Sequence, residues 1–147
     1  MRQVNVARVR DLLGNISEAL HALRQLASLS EAEFLGDFRN TESAKYLLIK
    51  ATEAAIDVCT HIVARAEGRA PQDYADCFTV LRSLGIIGEP LSERLRKMAR
   101  FRNLLVHVYW QVDNAQVFRV IGNELDDLVK FQEQVGQWLV SQRSAET

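Results

Sequence analysis

The sequence contains few residues that interrupt helices. Its 147 residues include only two prolines and seven glycines, and hydrophobic residues recur at helical spacing over several long stretches. With 48% hydrophobic and 25% charged residues, the composition is that of a globular protein and not of a disordered one. The length suits one domain with a substantial core. The sequence therefore predicts a single all-α domain over residues 1–147.

Cysteine is also scarce, with Cys59 and Cys77 as the two examples. They form neither a CxxC motif nor the regularly spaced set of a disulfide-rich scaffold. Both lie in helical or near-helical segments, where the simplest interpretation is a small buried thiol. We therefore expect no redox or metal role for them.

The sequence lacks strong charge of one sign and long apolar runs. The formal net charge of −1 argues against a protein that coats nucleic acid non-specifically, which needs many phosphate contacts, but it allows a local basic site. No apolar run approaches the roughly 20 residues of a membrane-spanning helix, and residues 1–5 lack the apolar segment of a signal peptide. A soluble, cytoplasmic protein is expected.

The first part of the chain predicts two helices and the start of a third. Apolar residues repeat at helical spacing from about residue 5 to residue 29. Ser30 and Glu33 form a capping box, which predicts a short helix beginning at Ser30. After a break at residues 36–40, Thr41 is expected to cap a long helix.

The remaining segments complete a predicted antiparallel up-and-down bundle of about five helices, because short connections make neighbouring helices antiparallel. The long helix runs to about residue 65, where glycine and proline terminate it. A shorter helix covers residues 74–84, and another begins near Leu91. Asp113 is expected to cap one last helix over residues 114–142.

The most informative segment is residues 102–109, at the end of the helix that begins near Leu91. It contains Arg102, Asn103, His107 and Tyr109. Arginine is a permanent cation whose donor fork suits phosphate oxygens, and histidine transfers protons near neutral pH. This pair is suited to cleaving a phosphodiester without a metal.

In helical projection, Arg102 lies on the core face of its helix, together with Leu91, Leu95, Met98 and Leu105. Burying an unpaired charge is costly, so Arg102 needs a carboxylate, a phosphate or a polar cleft. His107 projects about 140° away from Arg102, in a row with Arg96, Arg100 and Asn103. The two side chains can converge only if the helix ends near His107, if the arginine reaches around, or if a second subunit contributes.

The alternative interpretations of these residues are structural. Arg102 would be an interior arginine paired with a carboxylate, and His107 a histidine favoured at a helix C-terminus by the macrodipole. Five cations nevertheless form the densest positive cluster of the chain, and they are Arg94, Arg96, Lys97, Arg100 and Arg102. Arg96, Lys97 and Arg100 are accordingly candidates for RNA contacts, with a solvated helix face as the alternative.

The long helix beginning near Thr41 supplies a candidate partner for Arg102. Lys50, Glu53, Asp57 and His61 line one face of it. Glu53 or Asp57 is placed to pair with Arg102 across the bundle or to orient a histidine, and a chain of exposed ion pairs is the alternative.

Together these features resemble the HEPN-fold toxins of HepT type. In that family an arginine, usually followed by asparagine, precedes a histidine by four intervening residues, and a tyrosine follows after one more. Arg102, Asn103, His107 and Tyr109 match all four positions. Residues 28–38, 51–62, 91–98 and 112–113 also resemble family segments, so the likeness covers almost the whole chain.

The resemblance implies a helical bundle that homodimerises and a metal-independent endoribonuclease that acts on tRNA or mRNA without a cofactor. His107 would serve as general acid or base, Arg102 would hold the phosphate, and Asn103 would orient one of the two. Glu53 and Asp57 are the candidate supporting carboxylates. The resemblance also implies a type VII-like toxin–antitoxin pair, in which a minimal nucleotidyltransferase antitoxin adenylylates Tyr109.

Two other functions stay open at this point. One is a non-catalytic helical dimer that binds a nucleotidyltransferase or RNA, and the other is a purely structural bundle. Val108 stands where many relatives carry glycine, and a β-branched residue does not readily adopt positive φ. We therefore expect a tight, helix-like turn between His107 and Tyr109.

Overall fold

The computed structural model describes residues 3–145. Outside the described residues lie Met1, Arg2, Glu146 and Thr147, together with the sequence-based expectations for the two ends of the chain. Within this range the chain forms seven α-helices and one 3-10 turn, without a strand. The helices are α1 (Val6–Ala27), α2 (Glu31–Leu35), α3 (Phe38–Glu67), α4 (Tyr74–Ser83), α5 (Glu89–His107), α6 (Asn114–Asn123) and α7 (Leu125–Ala145). The all-α prediction is confirmed, and the predicted number of helices is too low. None of the helices in this described range combines the length and apolarity needed to cross a membrane.

Capping residues explain where the first helices begin. The capping box of Ser30 and Glu33 at the start of α2 is present as predicted. The predicted cap of α3 was wrong, because Asp37 and not Thr41 occupies that position. The Asp37 carboxylate accepts the backbone N–H of Arg39 at 2.9 Å, a normal N-cap bond. Thr41 is buried inside the helix and donates its hydroxyl to the carbonyl of Phe38.

Helix α5 begins and ends close to the predicted positions. Gly88 is its N-cap, and Pro90 lies in the first turn, where its missing N–H costs nothing. The helix ends at His107, and Val108 follows with φ −132°. The chain then makes the 3-10 turn Tyr109–Gln111. The prediction that α5 ends at the motif, followed by a tight turn without positive φ, is confirmed.

The single last helix predicted over residues 114–142 was wrong. Asp113 caps a helix as expected, but this helix ends at Asn123, and α7 starts at Leu125 after a break at Glu124. The Asn123 side chain donates to the carbonyl of Arg119, which competes with continued helix. The break lets α6 pack on α1, α2 and α3 while α7 packs mainly on α5 and α1.

The core lies where α1 packs along α3, the most extensive helix pairing, and where α4 packs on α5. The backbone N–H of Asn5, just before α1, donates to Nε2 of His61 near the end of α3. This contact places the start of one helix beside the end of the other. The ring of Phe78 meets that of Phe131 edge to face, with centroids 6.0 Å apart. An antiparallel arrangement of the whole bundle stays a prediction.

The expectation of two separate thiols was wrong, because a disulfide joins Cys59 in α3 to Cys77 in α4. Both side chains are fully buried. The packing of α3 on α4 brings their Cα atoms to 6.0 Å, a separation that a disulfide normally spans. Their spacing of 18 residues matches no sequence motif, so only the helix packing reveals the pairing.

Candidate functional site

Arg102 is held in a fixed position between α5 and α3. Its Nε and Nη2 both donate to Oε1 of Glu53, at 3.2 Å and 2.5 Å, and its Nη1 donates to Oδ1 of Asn103 at 3.0 Å. The arginine side chain is 14% exposed and that of Glu53 is 44% exposed. Of the three partners that the sequence left open for Arg102, a carboxylate, a phosphate or a polar cleft, the structure shows a carboxylate. Of the two candidate partners, Glu53 makes the ion pair.

Within the part of the chain that the structure describes, the guanidinium of Arg102 keeps unused donors. Arginine carries five N–H groups, and the three hydrogen bonds to Glu53 and Asn103 use three of them. Its Cζ lies 5.2 Å from the ring centroid of Tyr74, at the start of α4, a cation–π distance. The guanidinium is therefore oriented by three neighbours and can still bind an anion.

Asp57 lies one helical turn beyond Glu53 but makes no hydrogen bond to Arg102 among the described residues. Partial burial raises the pKa of Asp57 above its ordinary value, with the nearby Glu53 carboxylate acting in the same direction. Arg8 and Arg102 oppose that shift. Asp57 thus belongs to the same charged neighbourhood without fixing the arginine directly.

His107 lies at the exposed end of α5. Its side chain makes no hydrogen bond within the described range of the chain, to Arg102 or to any other residue. Positions five residues apart on one helix are separated by about 140° and about 7.5 Å along the axis. One subunit alone therefore presents the two groups on different sides of the same helix.

Tyr109 is anchored to α3 by two residues that the sequence reasoning missed. Its hydroxyl donates to Oε2 of Glu42, and Nζ of Lys45 lies 4.3 Å from its ring centroid. Lys45 is 4% exposed, and the Glu42 carboxylate lies 3.8 Å from its ammonium. A buried ammonium needs such partners. The three side chains form one polar cluster at the turn after α5.

The predicted RNA-contacting cations of α5 differ in exposure and in their partners. Lys97 and Arg100 are exposed. Arg96 pairs with Glu93 at 3.4 Å, while its buried Nε has no hydrogen-bond partner among residues 3–145. Arg96, Arg100 and Asn103 line a polar cleft beside the first turn of α4, which contains Tyr74.

The missed residues differ in whether the sequence carried a signal for them. Lys45 occurs in a series of buried positions at helical spacing, which are Thr41, Lys45, Leu48, Thr52 and Ala55. A lysine in such a series indicates an internal ionic contact. Tyr74 and Glu42 have no comparable signal, because their roles depend on how α4 and the 3-10 turn pack.

Comparison with known proteins gives the family. The family described as "Ribonuclease HepT-like" matches residues 16–135, which is most of the chain. This chain belongs to the ribonuclease HepT-like family. The resemblance predicted from the residue 102–109 motif is confirmed, and so is the enzyme class, a ribonuclease.

Two curated relatives are similar in sequence. An mRNA nuclease HepT from Shewanella oneidensis is 34% identical over 100 residues, covering 68% of this chain and 75% of the relative. A tRNA nuclease HepT from Aphanizomenon flos-aquae is 25% identical over 141 residues, covering 96% of each protein.

A solved structure shows the same fold in a toxin–antitoxin assembly. It is a tri-AMPylated Shewanella oneidensis HEPN toxin in complex with MNT antitoxin, at a TM-score of 0.81 and 28% identity. The match covers 88% of this chain and 97% of that one. The structural similarity therefore extends over most of this chain and nearly all of the other.

Proposed function

We propose that this HepT-like protein is a metal-independent endoribonuclease toxin that cleaves tRNA or mRNA by attack of the ribose 2′-OH. Arg102 and His107 form its catalytic pair. The proposal rests on the orientation of Arg102. Its guanidinium is oriented by Glu53, Asn103 and Tyr74 and keeps two N–H donors unused among the described residues. A cation held in this way is preorganised for a phosphate.

In the proposed reaction, His107 accepts the proton of the 2′-OH, and O2′ attacks the adjacent phosphorus. The bond from phosphorus to the 5′-oxygen breaks, and that oxygen takes up the proton from the imidazolium of His107. The products are a 2′,3′-cyclic phosphate and a 5′-hydroxyl. Arg102 stabilises the negative charge that grows on the phosphate oxygens, while the histidine contributes about 10²–10⁴-fold. Glu53 and Asn103 position the arginine, and Asp57 contributes to the surrounding field.

The active form in this proposal is a homodimer, in which two copies of the motif share one cleft. The apolar surface around the end of α5 supports it, since Leu104 is 48% exposed, Val106 41% and Trp110 77%. Exposed apolar side chains next to a polar site are typical of an interaction surface. In the dimer, each of two sites in the cleft combines Arg102 of one subunit with the partner subunit's His107.

In this proposal, residues 1–147 form one domain, and the protein acts in the cytoplasm. Arg96, Lys97 and Arg100 guide the RNA backbone: Lys97 and Arg100 are exposed, and Arg96 and Arg100 line the polar cleft beside Tyr74. A few local cations suffice for a substrate that is held briefly, even where the net charge is close to zero.

A minimal nucleotidyltransferase antitoxin neutralises the toxin in this scheme by adenylylating Tyr109. The AMPylated state of the Shewanella oneidensis toxin supports this assignment. An added phosphate diester beside the cleft repels the RNA backbone and blocks access by its size.

The test is cleavage of end-labelled RNA in EDTA by the purified, unmodified protein. We expect wild type to cleave, and we expect Arg102→Ala and His107→Ala to lose at least about 100-fold in rate with unchanged helical circular dichroism. Intact RNA after incubation with folded wild-type dimer would instead favour a non-catalytic binding module. Full activity in both variants would contradict the proposed pair.

The shared cleft has its own test, in which the two inactive variants are mixed, unfolded together and refolded. If each site takes Arg102 from one subunit and His107 from the other, mixed dimers regain one intact site. We then expect about a quarter of the wild-type rate, because half of randomly assorted dimers are mixed. Mixed dimers without activity would show that each subunit carries a complete site.

A further inference from the structure

A cavity of about 160 Å³ lies between α3, α5 and α6, and Arg102 forms part of its wall. Its apolar lining consists of Leu48, Met98, Phe101, Leu105 and Val120. Most of these side chains are buried, with Leu48 2% and Leu105 1% exposed. The cavity is thus a preformed slot between helices.

The cavity also contains hydrogen-bonding groups at specific places. Thr52 lines it and is 2% exposed, and its hydroxyl has no hydrogen-bond partner among the described residues. The amide of Gln116 and the carboxylate of Glu124 lie at the α6 side, opposite Lys97 of α5. Partial burial raises the pKa of Glu124, with the nearby Asp127 in the same direction and Lys97 opposing. An apolar slot with a few convergent polar groups is the usual form of a small-molecule site.

A nucleobase has the matching chemistry. It is flat and largely apolar on its faces, so that it stacks on aromatic side chains such as Phe101, and its edge carries donors and acceptors. Proteins that bind RNA sequence-specifically take unstacked single-stranded bases into such pockets. The hydroxyl of Thr52 and the amide of Gln116 provide both donors and acceptors for that edge.

The position of the cavity links it to the scissile phosphate. Arg102 lines the cavity and is the proposed phosphate-binding group, so a base in the slot belongs to a nucleotide next to the cleaved bond. We propose that this cavity binds one nucleobase of the RNA substrate beside the scissile phosphate, with Thr52 and Gln116 reading its edge. The inference rests on the proposed function, and it makes this slot the determinant of base preference.

Adenine linked to Tyr109 is a second source of the same chemistry. Leu105, in the cavity lining, lies four residues before Tyr109, which follows the end of α5. An adenylyl group on Tyr109 would compete with the RNA base if it entered the slot. The experiment therefore separates a substrate base from the adenine of the modification.

The first arm maps cleavage ends on a pool of random RNA by sequencing. Wild type is expected to prefer one base at a position flanking the cut. Thr52→Val and Gln116→Leu are expected to reduce that preference about three- to tenfold, the effect of losing one hydrogen bond. The matched control is Gln25→Leu, at an exposed position of α1, which should keep the wild-type pattern. Cleavage without base preference, or an unchanged preference in both cavity variants, would overturn the inference.

The second arm does not depend on cleavage. Each of the four nucleoside 3′-monophosphates is titrated into unmodified His107→Ala protein, and NMR shifts of Thr52, Phe101 and Gln116 are followed. We expect saturable shifts for the preferred base, weakened by adding Gln116→Leu, even if the proposed ribonuclease activity fails. Absence of shifts for all four nucleotides would overturn the inference. Binding of the adenine nucleotide alone, with no adenine preference in cleavage, would assign the slot to the Tyr109 modification and overturn its role in substrate binding.

Discussion

Two donors of Arg102, Nε and Nη2, converge on the same carboxylate oxygen of Glu53. This contact joins α5 to α3 and fixes the guanidinium beside the end of the motif. The remaining Nη1 is bonded to Asn103, so the plane of the guanidinium is defined from two sides. In the proposed mechanism, that orientation aims the unused N–H groups at a phosphate.

Glu53→Gln should slow RNA cleavage more than it disturbs folding. The neutral amide holds the arginine less tightly, and misplacing a catalytic group can cost up to about 100-fold. We expect a fall of about tenfold or more in kcat, with a loss of about 1–2 kcal/mol in the free energy of unfolding, between the values for exposed and buried ion pairs. Single-turnover kinetics and urea unfolding measure the two quantities.

The control for this prediction is Glu67→Gln on the same helix, which removes an exposed pair with Arg69. It should change neither cleavage nor stability appreciably. Wild-type kcat in Glu53→Gln would show that the carboxylate serves stability alone.

Tyr109→Phe should separate modification from catalysis. Phenylalanine keeps the ring that lies over Lys45 but lacks the hydroxyl that bonds Glu42 and would accept AMP. We expect RNA cleavage to persist and the AMP-dependent mass increase to vanish when the protein is produced together with a minimal nucleotidyltransferase. Tyr46→Phe, at a 63% exposed tyrosine of α3, should still gain the mass. An AMP adduct on Tyr109→Phe would place the acceptor elsewhere.

His61 should make stability depend on pH. Burial lowers its pKa below the ordinary value of 6.5, and the positive charges of Arg65 and Arg8 act in the same direction. Its Nε2 accepts the Asn5 N–H, which requires the neutral ring. As pH falls, His61 therefore binds a proton in the unfolded state before it does so in the folded state. The stabilisation of the folded state by neutral His61 is complete above about pH 6.5 and is lost as pH drops through the lower, folded-state pKa.

Urea unfolding between pH 5 and pH 8 tests this dependence. His61→Gln should lose part of the decline in stability on acidification, whereas His21→Gln, at an exposed position of α1, should follow wild type. The effect should be modest, since His61 is only partly buried. Identical pH profiles for wild type and His61→Gln would contradict the assignment.

The disulfide between Cys59 and Cys77 should make the free energy of unfolding depend on whether a reductant is present. Closing a loop of 18 residues stabilises a folded protein by about 3 kcal/mol in the chain-entropy description. We expect dithiothreitol to lower the free energy of unfolding by roughly that amount in wild type and by nothing in the double variant Cys59→Ala/Cys77→Ala. Two titratable thiols in the denatured, non-reduced protein would refute the bond.

Helical spacing predicted the local structure well where one face of a helix meets the core. Leu91, Leu95, Met98 and Leu105 are all buried, and the arginine among them is paired as its projection required. The break at Glu124 could not be predicted in this way, because Ile121, Leu125 and Leu128 continue the helical spacing across it. The break accompanies the bond from the Asn123 side chain to the Arg119 carbonyl and the different packing of α6 and α7, and that packing is a tertiary property.

The sequence predicted which chemical groups belong to the site, but it did not predict all of the contacts between them. The spacing of Arg102 and His107, and the face carrying Glu53, are local properties of single helices. The contacts of Tyr109 with Glu42 and of Arg102 with Tyr74 join elements far apart in the sequence. Such pairings depend on how α3, α4 and the 3-10 turn come together, and a helical projection contains no information on that.

The most direct test of the central claim is the chemistry of the RNA ends produced in EDTA. Attack by the 2′-OH, assisted by Arg102 and His107, predicts 2′,3′-cyclic phosphate and 5′-hydroxyl ends, and no cleavage where the nucleotide at the cut carries 2′-deoxyribose. Mass spectrometry of the fragments identifies both groups. Ends carrying a 5′-phosphate, or cleavage at a 2′-deoxy position, would contradict the account.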